Sequence, residues 1–381
     1  MYTYILLFIV TIFFSYHSAL NGIIRQRNNN TISYSRISLG AFLIMLIFIG
    51  LRNGVGRDFP AYYNDFFYTD LSNFGSLISK YKYEYGFYAI VHISRFLGLG
   101  PQMIFIISAI ITLFLFFRLF RKCYEYLPCA ILIFFIALPY GFIINGMRQG
   151  IAIFLFLNAI EYLEKDEIIV KDIICYIFWI LLASLFHTSA IFLIFLMLFK
   201  LERVKKLFNS IVLCLIAISG LLFNMFGLGD LVLPTIDTGG GYSYGAMMES
   251  EMFVVQSEGL SIGKLLSLIV YMVPLLYYNK IKQIYPSFSI YFILLSIGSL
   301  IFFMFPNNML TIRVSYYFLF SELYVFPILQ KYLINHSKNP INRIIWIFVL
   351  FAFLLIQIRE FNDFYELQIW NNASIYGISI K

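Results

Sequence analysis

The chain has 381 residues, 61% of them hydrophobic and 12% charged, with a net charge of +7. This excludes a soluble globular domain, because there is too little polar material to cover one of that length. Lys and Arg gather at cytoplasmic loops and helix ends, so the positive balance reads as positive-inside bias and not as a nucleic-acid surface.

The first apolar stretch, Tyr2 to Leu20, lacks the basic start and small-residue cleavage pattern of a signal peptide, and reads as a retained helix. A hydrocarbon core takes about 20 apolar residues per helix, with about 17 as the lower limit. Segments 2–19, 101–117, 128–144, 147–163, 209–227, 263–279, 286–305, 313–333 and 343–358 qualify, and 37–51 falls slightly short. The stretch 172–200 carries His187, Thr188 and Ser189 in its middle. Two short spans joined at that turn keep Lys171 and the group Lys200, Arg203, Lys205 and Lys206 on one side, which a single long helix would not.

The sum is an all-α polytopic membrane protein of about 12 transmembrane helices, one domain over 1–381, with both termini outside. Segment Glu84 to Gly98 breaks the alternation if it crosses, so it is expected to lie as an amphipathic or re-entrant helix at the outer interface. Two long segments remain outside. One is 52–83, with Arg52, Arg57, Asp58, Asp65 and Asp70 among aromatics. The other is 228–262, acidic, without Lys or Arg, and containing Gly239-Gly240-Gly241. A loop of that length more often serves as a lid or substrate loop than as a passive connector.

Aromatics form 20% of the chain, 43 Phe and 29 Tyr, which suits a lipid-facing surface with interfacial belts. Cys123, Cys129, Cys175 and Cys214 show neither a C-x-x-C pair nor zinc spacing and read as packing residues. No cofactor is expected.

Arg52, Arg57, Arg148, His187 and Arg313 all border apolar stretches at the outer face, where arginine is normally scarce. An anionic ligand is the simplest reason for such a cluster. Arg148 sits between Gly146 and Gly150, which allow close approach, and Gln149 adds a neutral donor. Snorkelling to head groups is the plain alternative for any single arginine. A lone His in an apolar span is more often a packing residue than a catalytic one. His187, however, heads a short turn where helix N-terminal amides favour anions. Arg313 opens another span with Tyr317 on the same helix face, while Glu322 lies roughly opposite. Arg52 and Arg57 flank Asn53-Gly54-Val55-Gly56, and the planar guanidinium fork matches phosphate oxygens. Asp58 then orients an arginine or acts as a base. His92 has no comparable context, and no nucleophile elbow supports a hydrolase triad.

The order Gly50-Leu51-Arg52-Asn53-Gly54-Val55-Gly56-Arg57-Asp58 with Tyr62, then Tyr83-Glu84-Tyr85-Gly86-Phe87, then Met147-Arg148-Gln149 with Ala152, resembles the EpsG family. Phe186-His187-Thr188-Ser189-Ala190 and Arg313-Val314-Ser315-Tyr316-Tyr317 continue the likeness, which covers roughly residues 40 to 330. That family groups with the Wzy-type polymerases of O-antigen, capsule and exopolysaccharide. The resemblance implies a GT-C-like architecture and an inverting, metal-independent glycosyltransferase. Its donor and acceptor would be undecaprenyl-pyrophosphate-linked oligosaccharides. The location implied is the bacterial cytoplasmic (inner) membrane, with the active site facing the periplasm or exterior. Membrane lipids and a chain-length regulator are the other partners implied, and nucleic acid is not.

On this reading Arg148, His187, Arg313 and Asp58 are catalytic, and Arg52, Arg57, Glu84, Gln149 and Tyr317 bind substrate. Glu84 is also a candidate base. Arg57, Arg148, His187 and Arg313 are expected to converge on one outward-opening cavity. An O-antigen-type ligase using the same donor is the alternative. A flippase or transporter ranks lower, because the charges gather at one face and no internal repeat is present. A membrane acyltransferase would need polar chemistry at the cytoplasmic face, where the loops are short and merely basic.

Overall fold

A computed structural model describes residues 36–56, 58–69, 84–165, 168–200, 207–226, 262–306, 308–336 and 339–364. The expected first span, Arg57, and the outer loop 228–261 lie outside the described residues. Among the described residues the regular elements are all helical. Where the sequence suggests one domain, two compact units form: Met1–Met197 with Ile358–Lys381, and Leu198–Gln357.

The first unit contains α1 (Arg36–Gly50), α2 (Phe59–Tyr68), α3 (Tyr85–Phe96), α4 (Gln102–Leu119), α5 (Leu127–Ile136), α6 (Leu138–Asn145), α7 (Met147–Ala159) and α8 (Val170–Ser184). Helix α7 is buried along almost its whole length and packs against α4, α6 and α8. Its apolar run, Ile151 to Leu157, has no polar face, as suits a helix enclosed by other helices. Helix α3 is amphipathic, burying Phe87, Ile90, Val91 and Ser94 at helical spacing. Segment 52–83 is less of a loop than expected, since α2 occupies part of it.

Among the described residues, four helical segments are long and apolar enough to cross a membrane: Gln102–Leu119, Ile262–Ile284, Pro286–Met304 and Thr311–Ile334. A bent pair makes a fifth if counted as one span. Several of the apolar runs read as spans fall short of this length among the described residues, for local reasons. The run 128–144 is broken at Ala137 by a 59° bend, because Pro139 has no N–H to donate and its ring crowds the carbonyl one turn back. Leu39–Gly50, Thr188–Met197, Ser210–Met225 and Pro340–Ile356 are apolar but shorter.

The run 172–200 folds back on itself. Helix α8 ends at Ser184, residues 185–187 turn, and a 3-10 helix follows over Thr188–Lys200. The Tyr176 hydroxyl donates to the Leu193 carbonyl at 2.6 Å, tying the two arms side by side and placing His187 at the tip. Ala190, Leu193 and Leu196 are buried whereas Phe192 and Phe195 are exposed. Burial at every third residue is what three residues per turn dictates.

The second unit contains α9 (Ser210–Met225), α10 (Ile262–Ile284), α11 (Ser289–Met304), α12 (Met309–Leu319), α13 (Glu322–Lys331) and most of α14 (Pro340–Phe364). Helices α9 and α11 approach closely at Gly220, where an added Cβ would lie 2.3 Å from the Leu300 carbonyl oxygen. The Ser296 hydroxyl, donating to the Leu213 carbonyl at 2.7 Å, belongs to the same seam. Ser210 and Asn279 exchange two hydrogen bonds of 3.0 Å, joining α9 to α10.

Candidate functional site

The segment after α1 is placed by its own backbone. Gln102 of α4 donates its side-chain amide to the Gly50 carbonyl at 2.6 Å and the Arg52 carbonyl at 3.0 Å, satisfying acceptors that a helix end leaves open. The chain then passes close to the end of α6. Gly56 has φ +104°, and a Cβ there would stand 2.6 Å from the Ile144 carbonyl oxygen, so only glycine fits.

Arg52 is 2% exposed. Its Nη1 donates to the Ile49 carbonyl at 2.7 Å, Nη2 reaches Met147 Sδ at 3.7 Å, and the guanidinium lies 4.8 Å from the Phe105 ring centroid. These contacts fasten α1, α4 and the start of α7 together. Arg52 thus touches Met147, the residue before Arg148 in α7.

Glu84 is the centre of the site. It precedes α3, where the helix dipole favours a carboxylate, and is 6% exposed. Its Oε2 accepts from Arg148 Nη1, and its Oε1 lies 2.8 Å from His187 Nδ1. Three residues far apart in sequence thus meet at one carboxyl group. Arg148 is the second residue of α7, at the positive end of that helix, a position that disfavours a cation unless an anion compensates it. Glu84 supplies that anion. The Arg148 guanidinium also sits 5.5 Å from the Phe87 ring and 5.9 Å from the Tyr62 ring, so two aromatic faces cradle it.

The hairpin carrying His187 docks on α3 through backbone. The Gly86 N–H donates to the Leu185 carbonyl at 2.8 Å, and Phe186 lies against Gly86 so closely that a Cβ would be 2.9 Å from three of its ring carbons. Glu84 Oε1 faces Nδ1 of His187, so Nε2 is the ring nitrogen it leaves for a ligand. Arg148 and His187 are each partly exposed, while the carboxylate between them is not. The arrangement presents a guanidinium and an imidazole, side by side on a shared anchor, to whatever enters.

Of the residues expected to act together, the structure brings Glu84, Arg148 and His187 into one cluster, while Arg52 is buried against Met147 and Phe105. Asp58 immediately precedes α2, and its carbonyl accepts from the Tyr62 N–H at 3.1 Å, one turn from the ring that faces Arg148. Gln149 is buried. Arg313, partly buried, and Tyr317, buried, lie on α12 of the second unit. The sequence singles out Glu84 but not its bridging role, and it gives no notice of the aromatic cradle made by Tyr62 and Phe87.

A second charged group occupies the other end of α7. Glu161 accepts from Arg118, Arg121 and Lys122 at 3.2, 2.8 and 3.2 Å, with Arg118 also bonded to Asn158 at 2.7 Å and 4.5 Å from the Trp179 ring. It carries three cations on one carboxylate.

Comparison with curated proteins and with solved structures gives no match for the chain. Residues 36–373 match the model of the EpsG family, which includes every element described above. With its long apolar helices and that match over most of its length, the chain is a membrane protein of the EpsG family, whose members have a polysaccharide-polymerase-like role.

Proposed function

We propose that this protein joins undecaprenyl-pyrophosphate-linked oligosaccharide repeat units at the outer face of the bacterial cytoplasmic membrane, by inverting glycosyl transfer that uses no metal. The observation that carries this reading is the convergence of Glu84, Arg148 and His187 from three separate segments, in a chain of this family. A GT-C-like arrangement of about 12 spans, with the cluster opening outward, is the architecture we infer, from the distribution of basic residues.

In the proposed step an acceptor hydroxyl oxygen attacks the anomeric carbon of the donor. The bond from that carbon to the pyrophosphate oxygen breaks, and undecaprenyl pyrophosphate departs with the electron pair. Arg148, and His187 as an imidazolium protonated on both ring nitrogens, stabilise the charge that develops on the leaving oxygens, and the amides at the start of α7 add to the field. We assign Arg52 a supporting charge and Arg57 a phosphate contact. Glu84 holds both donors in place and is already committed to two partners, so we assign the acceptor proton to Asp58. Gln149 contributes to the substrate pocket from the first turn of α7. Arg313, with Tyr317, is assigned to phosphate and substrate binding on the second unit.

The test is polymer length on gels from cells carrying Arg148→Lys or Arg313→Lys at equal membrane abundance. Lysine keeps the charge and loses the planar fork, so polymerisation should fall strongly in both. A polymerase defect leaves single repeat units on their acceptor. A ligase defect leaves long polymer on the carrier lipid, and a transport defect leaves neither outside. Near-normal long chains in both variants would refute the pyrophosphate-clamp reading.

A further inference from the structure

The side of α2 turned away from the cluster carries chemistry that the proposed step does not use. Phe59 and Tyr62 are buried, Phe59 stacked on Phe105 at 4.5 Å and Tyr62 against Phe87 at 5.2 Å. Asn64, Phe67 and Tyr68 are exposed and fall three and four residues apart, which places them on one patch of the helix surface. Phe67 is 54% and Tyr68 79% exposed. Tyr63 joins the buried and exposed sides, its ring 5.9 Å from Phe59 and 5.6 Å from Phe67.

Aromatic residues at a membrane interface have an ordinary explanation, the belt that marks head-group level. Two observations point past it. First, the patch is held rigid. Arg95 of α3 donates Nε to the Phe66 carbonyl and Nη2 to the Asp65 carbonyl at 3.3 Å, closing the last turn of α2. Its guanidinium also lies 5.9 Å from the Phe66 ring. Second, the same helix delivers Tyr62 to Arg148. From Tyr62 to Tyr68 the helix axis advances about 9 Å while the side chains turn to different faces, so a glycan of several sugars passing over α2 spans the distance.

We infer that Asn64, Phe67 and Tyr68 form a saccharide platform beside the Glu84 cluster. A pyranose ring has a face of C–H groups and a rim of hydroxyls. The electron-rich face of Phe67 or Tyr68 meets the C–H groups, and the Asn64 amide, donor and acceptor at once, meets the hydroxyls. The platform binds the glycan of the acceptor or growing chain, and so it rests on the glycosyl-transfer reading above. Because Arg95 and the buried rings fix the helix in advance, little ordering cost opposes binding.

The experiment uses the full chain in detergent micelles, with Tyr68→Trp as a fluorescent reporter. The probe is the oligosaccharide mixture released by mild acid from the lipid-linked pool of cells that make the polymer. A saturable emission change is expected, and adding Phe67→Ala or Asn64→Ala should weaken it by about 10-fold. An interfacial belt predicts no saccharide response in micelles, and that result overturns the proposal. In cells, Phe67→Leu/Tyr68→Leu keeps apolar bulk without a flat ring, so polymer should be shortened as in Phe67→Ala/Tyr68→Ala at equal abundance. Full-length polymer from the leucine variant also overturns it. If deleting the gene leaves elongation intact, the polymerase reading fails, while saccharide binding in micelles still decides the platform.

Discussion

Gly86→Ala separates the geometry of the cluster from the stability of the fold. The new methyl carbon would stand 2.9 Å from Cε1, Cε2 and Cζ of Phe186. Carbon atoms in contact rest at about 3.5–4.0 Å, so the ring has to retreat by about 0.6–1.1 Å. Phe186 precedes His187 directly, and the Gly86–Leu185 backbone bond ties the same turn to α3. A retreat of that size would stretch the 2.8 Å contact between His187 Nδ1 and Glu84 beyond hydrogen-bonding range.

Stability should change little, because alanine gains about 1 kcal/mol of helix propensity over glycine while overpacking costs about 1–3 kcal/mol. Activity should change far more, since a displacement of about 1 Å at a reacting group can cost about 100-fold. The assay pairs polymer length in cells with thermal unfolding of the purified protein in detergent. Adding Phe186→Leu, which shortens the obstructing side chain, should recover much of the loss. Wild-type polymer from Gly86→Ala at normal abundance would show that His187 need not be held by Glu84.

Gly220→Ala should act in the opposite way, lowering membrane abundance and thermal stability by about 2–3 kcal/mol. The atom in its path is the Leu300 backbone carbonyl, which cannot swing aside. Glu161→Gln should cost about 1–2 kcal/mol in detergent unfolding by leaving Arg118, Arg121 and Lys122 crowded, with polymer length unchanged. Single cysteines introduced in 228–262 and 359–381 should react with an impermeant reagent from outside and those in 201–206 should not; the reverse sidedness would move the site to the cytoplasm.

Local signals in the sequence drew attention to Arg148 and His187, and long-range contacts show which residues they meet. Arg148 stands out because glycines flank it in an apolar region, and His187 because it interrupts one. The fold-back of 172–200 is legible from charge sidedness, with His187 in the turn. What the pattern could not carry is that both residues share Glu84, a partner outside the range of any helical period. Arg52 shows the converse. In sequence it looks like Arg57, an arginine beside a glycine turn, yet it lies buried against Phe105 and bonded to Ile49. The break at Ala137 had a written cue in Pro139, outweighed by a hydrophobic run long enough to pass for one helix.

Helix α7, with charge clusters at both of its ends, has a consequence for the surrounding membrane. The 13 α-helical residues of Met147–Ala159 and the 3 of the 3-10 turn Ile160–Tyr162 separate those clusters. At about 1.5 and 2.0 Å per residue they span about 25 Å, against a hydrocarbon thickness of about 30 Å. If α7 crosses the membrane with both clusters at its surfaces, acyl chains around this unit would compress, at a cost of a fraction of a kcal/mol per Å. On the proposed function, such a pinch would lower the head-group plane toward the site and let a carrier lipid bring its phosphates to Arg148 without being drawn out of the leaflet. Reconstitution in bilayers of short-chain lipids should therefore raise turnover, and thick, sterol-like bilayers should suppress it.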